Sequence, residues 1–196
     1  GRAVSRLFEG LTRYNITNAE PEPAIAEHWE ISPDGKTYTF YIRSNLVWST
    51  GEPITAHDVY YSWTRVLNPL TASEYAGQLF YVKNAEPFAE GKTNALTGKK
   101  FAPEDVGIQV VSDHTFRVEL VSPTAFFLDL CAFQTLAVVP QQAIEKHGDR
   151  WLTTKPLPSS GAYELVSWRL NDKIRVRKNP RYWDAANTKS EIVDLR

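Results

Sequence analysis

The stretch from Trp48 to Trp63, WSTGEPITAHDVYYSW, contains residue types that can perform acid–base or metal chemistry. His57 stands beside Asp58, and an imidazole next to a carboxylate can transfer protons or bind a metal ion. The same residues also match the start of a helix, because Thr55 precedes Asp58 by three positions, as in a capping box. The sequence therefore permits two interpretations of this stretch, a reactive site and a capped helix.

The four histidines of the chain give little support to a metal site. They are tens of residues apart, whereas local metal motifs place two ligands on one helical turn or in one short loop. Each has a local interpretation, on a strand, in a first helical turn, in a hairpin turn or near a helix C-terminus. We therefore expect neither a metal nor another cofactor, and a metal-dependent hydrolase is kept as a remote alternative. The four residues are His28, His57, His114 and His147.

Serine and cysteine nucleophiles lack a supporting pattern. The candidate serines do not stand in a Gly-x-Ser-x-Gly elbow, and PSSGAY at residues 158–163 lacks the preceding glycine. The single cysteine, Cys131, lies near Phe126, Phe127 and Phe133, a setting that favours a buried, unreactive thiol. No glycine-rich phosphate loop is present. We therefore expect a protein that is not an enzyme.

Length and charge restrict the function further. The 196 residues suffice for one large domain or two small ones. With 22 basic and 23 acidic residues, the chain has no basic excess to hold a phosphate backbone, and we expect no nucleic-acid partner. Apolar residues never form the run of about 18 that a membrane-spanning helix requires, so any association with a membrane would be peripheral.

Three pairs of segments have the composition of strands separated by turns. Tyr38, Phe40 and Ile42 alternate with polar or exposed positions, which is the period of a half-buried strand, and Phe116, Val118 and Leu120 likewise share one face. The first pair, EHWEIS and TYTFYIR, is joined by a Pro-Asp-Gly turn at residues 33–36. The second pair, VGIQVVS and TFRVELV, turns at Asp113–His114, and the third, GAYELVSW and KIRVRKN, turns at Asn171–Asp172. We expect each pair to form a β-hairpin.

Helix signals are clearest after Thr55, where apolar residues recur on one helical face until Asn68–Pro69 ends the pattern. Residues 71–74 repeat the capping pattern and predict a second helix through Tyr81. A short helix over Ser5–Leu11, ended by Gly10, is also expected.

Pro123 and Pro140 each suit the first turn of a helix, and Gly148 suits the end of the second of these. Strands and helices mix without regular βαβ alternation, so the fold class is predicted to be α+β.

The order of four segments resembles one family. They are SRLFEGL (5–11), AIAEHWEISPDGKTYTFYIRSNLVWSTGEPITAHDVYYSWTRVLNP (24–69), SSGAYELVSW (159–168) and VRKNPRYWD (176–184). In this order they resemble the extracytoplasmic peptide-binding proteins of ABC importers, the oligopeptide and dipeptide solute-binding family. The run NPLTASEYAG (68–77) is similar to the oligopeptide and murein-peptide branch.

The resemblance implies a two-lobed clamp of periplasmic-binding type with an extra α+β domain on the N-terminal lobe. It places residues 1–23 in the N-terminal lobe, 24–159 in the inserted α+β domain, and 160–196 in an incomplete return to the N-terminal lobe. The chain would then be a fragment that lacks the opposing lobe. A periplasmic or extracytoplasmic location is implied, with a lipid anchor through a segment outside this sequence as an option.

The resemblance also implies a function and one site residue. The function is capture of oligopeptides for the permease subunits of an ABC transporter. Tyr75 matches a tyrosine that faces the ligand cleft, although a tyrosine packed beside a helix start is an open alternative. The signature residues Trp48, Gly51, Pro53, Thr55, Asp58 and Trp63 match positions that serve folding, and Ser160 stands where many relatives have asparagine.

Three rivals are kept beside the peptide binder. The same fold serves binders of nickel chelates, haem or oligosaccharides, and it also occurs as the ligand-sensing domain of transcription regulators. The third rival is the metal-dependent hydrolase, which would have to use the four histidines.

Overall fold

Antiparallel strands form the framework of the molecule. The computed structural model describes residues 4–169 and 172–195. A two-stranded pair, β1–β2, is followed by a four-stranded sheet in the order β3-β4-β6-β5 and a three-stranded sheet in the order β7-β8-β9. The strands are β1 (Thr12–Tyr14), β2 (Pro21–Pro23), β3 (Ala26–Ile31), β4 (Thr37–Ile42), β5 (Ile108–Ser112), β6 (Thr115–Glu119), β7 (Tyr163–Trp168), β8 (Ile174–Lys178) and β9 (Ile192–Leu195).

The three predicted hairpins are confirmed. β3 pairs with β4, β5 with β6 and β7 with β8, all antiparallel. Asn171 of the third predicted turn lies outside the described residues. Burial in β4 alternates strictly, with Tyr38, Phe40 and Ile42 inside, because successive side chains of a strand point to opposite faces of the sheet.

Short helices cover the four-stranded sheet and connect the strands. The α-helices are α1 (Val4–Leu7), α2 (Ala56–Leu67), α3 (Ala85–Ala89), α4 (Phe127–Cys131) and α5 (Gln141–His147). Turns of 3-10 helix lie at Pro69–Thr71, Ala76–Leu79, Pro103–Asp105, Gln134–Leu136, Gly148–Thr153 and Ala185–Asn187.

Trp63 joins α2 to the sheet and to α4. Its side chain is fully buried and meets Phe116 of β6 and Phe127 of α4 edge to face, with ring centroids 5.4 and 6.3 Å apart. The indole N–H donates to the Leu136 carbonyl at 3.2 Å. This contact places α2, the sheet and α4 in one hydrophobic core.

The predicted second helix over residues 71–81 is wrong. Asn68 instead caps a single 3-10 turn, Pro69–Thr71, by accepting a hydrogen bond from the backbone two residues on. Ala72 then adopts a left-handed conformation with φ of 49° and ends the turn. A separate 3-10 turn follows at Ala76–Leu79. Because Asn68 takes the capping role, Thr71 becomes the last residue of one turn and does not begin a helix.

The two proline signals have different outcomes. Pro140 and Gly148 flank α5 as its N-cap and C-cap, which confirms that prediction. Pro123 begins no helix, since α4 starts at Phe127. Its ring packs on the first hairpin turn, where its Cβ lies 3.2 Å from the position that a Cβ on Gly35 would occupy.

The first helix is shorter than predicted. It ends at Leu7, and the expected helical end at Gly10 is instead a close approach between two segments. A Cβ on Gly10 would lie 2.3 Å from the carbonyl oxygen of Cys131. The chain from Phe8 to Leu11 therefore packs at Gly10 against the end of α4 and leads into β1.

The architecture mixes helices and sheets, as the predicted fold class requires. Within residues 4–169 and 172–195, no helix combines the length and the apolar character that crossing a bilayer demands.

Candidate functional site

The His57–Asp58 pair belongs to a helix cap. The Asp58 carboxylate accepts from the Thr55 backbone N–H at 2.8 Å, and the Thr55 hydroxyl accepts from the His57 N–H at 3.3 Å. Burial raises the pKa of Asp58 although the bond from Thr55 works in the opposite direction. The His57 imidazole contacts Asp113 at 3.4 Å, where both side chains are exposed. Of the two interpretations of this stretch, a reactive site and a capped helix, the structure therefore supports the capped helix.

The other histidines and the cysteine form no reactive site. The ring of His28 stacks on Tyr41 with centroids 4.5 Å apart. In the described part of the chain, His, Cys, Asp and Glu side chains form no group of three or more that could hold a metal ion. Cys131 is fully buried, and its burial raises the pKa of the thiol well above the ordinary value. A thiol in this state has little nucleophilic character.

Tyr75, the predicted ligand contact, lies on the surface. It is the residue before the 3-10 turn Ala76–Leu79 and is 59% exposed. Its carbonyl accepts from the Gln78 N–H at 3.1 Å. The Oε1 atom of Gln78 is itself buried without a hydrogen-bond partner among the described residues. Most of the Tyr75 ring is therefore outside the core.

Further aromatic side chains are exposed around α4. Phe126 precedes the helix and meets Tyr81 edge to face at 5.1 Å. Phe133 follows the helix, and the Tyr14 hydroxyl of β1 donates to the Asp129 carbonyl at 3.0 Å. All four rings are at least 39% exposed. Exposed aromatic rings with polar edges are suited to amphipathic ligands.

A pocket of about 330 Å³ lies where α1, β1, the end of α4 and the start of β7 meet. This volume is within the range of small-molecule sites. The pocket is lined by three charged side chains, by aromatic rings and by backbone at two glycines, and Tyr75 is not among the lining residues. The lining includes Arg6, Glu9, Gly10, Arg13, Tyr14, Phe133, Gly161, Tyr163 and Tyr182.

Glu9 is the buried charged group of this pocket. Its carboxylate accepts from the Tyr182 hydroxyl and, at 2.7 Å, from the Trp183 indole N–H. Its backbone N–H donates to the Ser160 hydroxyl at 3.1 Å, and its carbonyl accepts from the Val138 N–H at 2.9 Å. Glu9 thereby joins segments that are more than 100 residues apart in sequence.

Arg13 completes the cluster around Glu9. Its guanidinium contacts Glu22 at 2.7 Å and Asp184 at 2.8 Å, and it donates to the Tyr182 hydroxyl at 3.0 Å. Burial works against the charge of Arg13, but the bonds to Glu22 and Asp184 outweigh it and raise the pKa. Arg13 is therefore a fixed positive charge whose Nε and Nη1 atoms contact other groups of the protein.

Burial dominates the electrostatics of Glu9. It raises the pKa of Glu9 from 4.5 to about 7, although Tyr182, Trp183 and the charges of Arg13 and Arg43 all favour the ionised form. Burial and the neighbouring Glu9 carboxylate likewise raise the pKa of Tyr182. The pocket wall therefore contains a carboxyl group that titrates near neutral pH.

The sequence interpretation did not single out the Glu9 cluster. Glu9 lies in SRLFEGL, and Tyr182, Trp183 and Asp184 lie in VRKNPRYWD, segments that contributed a short helix and a family resemblance to the prediction, whereas Arg13 and Glu22 lie outside both. A glutamate in an apolar run and a Tyr-Trp-Asp triplet have no local pattern that predicts their contact. Only the folded chain brings Glu9 and Tyr182 together.

The comparisons with known proteins are consistent in their result. The family model for bacterial extracellular solute-binding proteins, family 5 Middle, matches residues 20–196. The chain is 41% identical over 188 residues to the periplasmic oligopeptide-binding protein OppA of Salmonella typhimurium and 38% identical over 197 residues to the oligopeptide-binding protein OppA of Bacillus subtilis. These alignments cover 94% and 100% of this chain. The chain spans 33% and 34% of the length of these two relatives.

One relative has a different ligand in its name. The probable deoxycholate-binding periplasmic protein YgiS of Escherichia coli is 38% identical over 193 residues, which cover 97% of this chain and 34% of that protein. Sequence similarity of this degree therefore does not by itself fix the ligand.

Solved structures are similar in fold. The crystal structure of Haemophilus influenzae OppA in complex with the peptide RPPGFSPFR has a TM-score of 0.89 at 34% identity, covering 98% of this chain and 36% of that one. The unliganded open form of the periplasmic murein tripeptide-binding protein MppA has a TM-score of 0.89 at 33% identity, covering 98% and 36%.

Proposed function

This chain belongs to family 5 of the bacterial extracellular solute-binding proteins, and we propose that it forms part of a subunit that captures oligopeptides for an ABC importer. The observation that carries the proposal is the pocket of about 330 Å³ beside exposed aromatic rings, in a chain that is similar over nearly its whole length to oligopeptide-binding proteins. The subunit acts outside the cytoplasmic membrane and delivers the peptide to the permease subunits. It binds its ligand and performs no chemical reaction.

The chemistry of the pocket suits a ligand of variable side chains. Exposed rings such as Tyr14 and Phe133 offer apolar contact to any peptide. Hydrogen bonds to the main chain are common to all peptides, and water adapts to differing side chains. Such a surface holds many peptides without reading one sequence.

Tyr75 is our proposed direct contact with the ligand. Its 59% exposure supports this role, because a ring that served only packing would be covered. Gln78, which follows in the same turn, has a buried Oε1 without a partner among the described residues. The turn therefore combines an aromatic face with an unsatisfied acceptor.

The proposed domain division follows the sheets. Residues 24–159 contain the four-stranded sheet with α2 to α5 and form the inserted α+β domain. Residues 1–23 and 160–196 belong to the N-terminal lobe, and contacts between α1 and β7 and between Glu9 and Tyr182 support their union. In this arrangement the pocket lies where the lobe meets the inserted domain.

The test uses the complete subunit that carries this chain. Titration with a diverse oligopeptide pool, followed by tryptophan fluorescence, is expected to show saturable binding. Tyr75→Ala is expected to raise the dissociation constant of a bound peptide about tenfold. Tyr75→Phe keeps the ring, and its dissociation constant is expected to stay within about threefold of the wild-type value. Leu70→Ala is the matched control, since Leu70 is exposed in the preceding turn and should leave affinity unchanged.

Other ligands decide between this proposal and its rivals. A flat response to the peptide pool, together with saturable binding of deoxycholate, a nickel chelate, haem or an oligosaccharide, would refute the peptide proposal. A stoichiometric metal ion in the purified protein with hydrolytic activity would support the hydrolase. An unchanged peptide affinity in Tyr75→Ala would refute the role of Tyr75 alone.

A further inference from the structure

The proposed function leaves the buried carboxyl group of Glu9 without a role. A carboxylate is costly to bury unless its charge is compensated. Glu9 lies in the wall of the pocket, and both of its oxygens accept from side chains of one short segment, Tyr182 and Trp183. The segment also contributes Tyr182 to the pocket lining. Glu9 therefore holds one wall of the pocket in place.

The charges that surround Glu9 are nearly balanced without it. Arg13 contacts Glu22 and Asp184, and Arg43 lies 3.7 Å from the centre of the Trp183 ring. The two guanidinium charges balance the two carboxylates, so a proton on Glu9 leaves the cluster neutral. Loss of that proton leaves one net negative charge in the buried wall. The charge of this cluster therefore changes with the protonation of Glu9, whose Oε1 lies 3.9 Å from Nη1 of Arg13, while Arg6 adds a separate positive charge to the pocket lining.

The hydrogen-bond donors around Glu9 determine where the proton can reside. An indole N–H only donates, so a proton on Oε2, the oxygen that faces Trp183, would find no acceptor in that direction. The hydroxyl of Tyr182 can donate or accept, and it faces the other oxygen, Oε1. A protonated Glu9 therefore donates from Oε1 to the Tyr182 oxygen.

We infer that Glu9 is a proton-binding positioning residue, which holds Tyr182 and Trp183 against the pocket and turns the Tyr182 hydroxyl hydrogen toward the pocket when it is protonated. When Glu9 is ionised, the Tyr182 hydroxyl donates its hydrogen to Oε1 of Glu9. Arg13 donates to the same hydroxyl oxygen at 3.0 Å. In the protonated state the oxygen accepts from Glu9 and Arg13, and its own hydrogen is released. The pocket then gains a donor and loses a negative charge.

The burial that raises the pKa of Glu9 to about 7 places this change near neutral pH. A ligand that offers an acceptor to Tyr182, such as a peptide carbonyl, binds the protonated form better. By linkage, binding of that ligand raises the pH at which Glu9 ionises. This consequence for ligands rests on the proposed function, whereas the proton site itself does not.

The indole resonances of the six tryptophans test the proton site. In a nitrogen–proton correlation spectrum of the 196-residue chain, the Trp183 indole signal is expected to move downfield as pH rises, with a midpoint within about one unit of pH 7, since its acceptor becomes charged. Trp183→Phe assigns the signal. The Trp63 indole, which donates to the Leu136 carbonyl, is the internal control and should stay constant.

Glu9→Gln decides the origin of the transition. The variant keeps the size and polarity of Glu9 and retains all four histidines, so a transition that persists in it would overturn the inference. If Glu9→Gln does not fold, Tyr182→Phe retains the carboxyl group, and an unchanged midpoint in that variant would overturn the role of Tyr182.

A peptide arm separates this inference from the proposed function. In the complete subunit, trialanine is expected to raise the midpoint of the Trp183 transition, and Tyr182→Phe is expected to remove that increase. A bound peptide that leaves the midpoint unchanged or lowers it would contradict the turning of the Tyr182 hydroxyl. If no resonance of the protein responds to peptide while Trp183 still titrates through Glu9, the proposed function fails and the proton site stands.

Discussion

At the scale of single residues, the type of a side chain does not determine its role, because its position in the folded chain also matters. His57 and Asp58 are residue types that could perform chemistry, but the Thr55 pattern and the family signature predict a folding role for this stretch, and the helix cap is confirmed. Glu9 has no such pattern, but burial beside Tyr182 and Trp183 gives it the titration expected of a functional group. The surroundings of Glu9 depend on contacts between segments 170 or more residues apart and cannot be deduced from spacing.

The raised pKa of Glu9 predicts a pH-dependent stability. Below about pH 4.5 Glu9 is protonated in both the folded and the unfolded chain. Between pH 4.5 and about 7 Glu9 is mostly protonated in the folded chain and mostly ionised in the unfolded chain. The free energy of unfolding therefore falls as pH rises through this window, by on the order of 3 kcal/mol from this group. Urea unfolding at pH 5 and pH 8 measures it.

Glu9→Gln provides the comparison for this prediction. The amide cannot ionise, so the stability of the variant relative to the wild-type chain is expected to increase from pH 5 to pH 8 by that amount. A difference between variant and wild type that is the same at both pH values would show that Glu9 does not titrate in this window.

At the scale of elements, local signals predicted the three hairpins and α2, but one competing local signal was missed. The three hairpins and α2 follow from alternation, a Pro-Asp-Gly turn and the Thr55 cap. The second predicted helix failed because the Asn68 cap starts a competing turn at Pro69–Thr71. The predicted end of α1 was wrong because Gly10 packs closely against Cys131, a residue far along the chain, and does not end a helix.

The cap of α2 predicts a specific loss of stability. Asp58→Ala removes the acceptor of the Thr55 N–H and is expected to cost about 1 kcal/mol of unfolding free energy. Asp58→Asn keeps an acceptor oxygen and is expected to lose less than half of that. Chemical denaturation at pH 7 measures both, and equal losses for the two variants would show that the cap hydrogen bond is not responsible.

The close approach at Gly10 predicts a larger effect. Gly10→Ala would place a Cβ 2.3 Å from the Cys131 carbonyl oxygen, and displacing backbone of this core is expected to cost about 2 kcal/mol or more. Gly77→Ala is the matched control, because its nearest neighbour would be a ring atom of Phe80 at 3.9 Å. Thermal unfolding compares the two, and similar midpoints would contradict the packing described between the segment that contains Gly10 and the end of α4.

At the scale of the whole molecule, the chain aligns with about a third of the length of each of these two relatives. The family was predicted from the order of four segments, because such an order is more specific than any single motif, and the mixed fold was predicted from strands and helices without regular βαβ alternation. The identity of the ligand does not follow from the degree of similarity alone, since a relative named for deoxycholate is 38% identical. The pocket is open, and hydrogen bonds made in open water contribute little net free energy.

The central claim, that this chain belongs to an oligopeptide-binding subunit, is tested most directly by native mass spectrometry with a peptide library of two to nine residues. For the complete subunit we expect one peptide per protein, with many sequences represented. For the 196-residue chain alone we expect no retained peptide, because the pocket stays open to water. A complete subunit that retains no peptide from the library, or a 196-residue chain that retains peptides as tightly, would contradict this account.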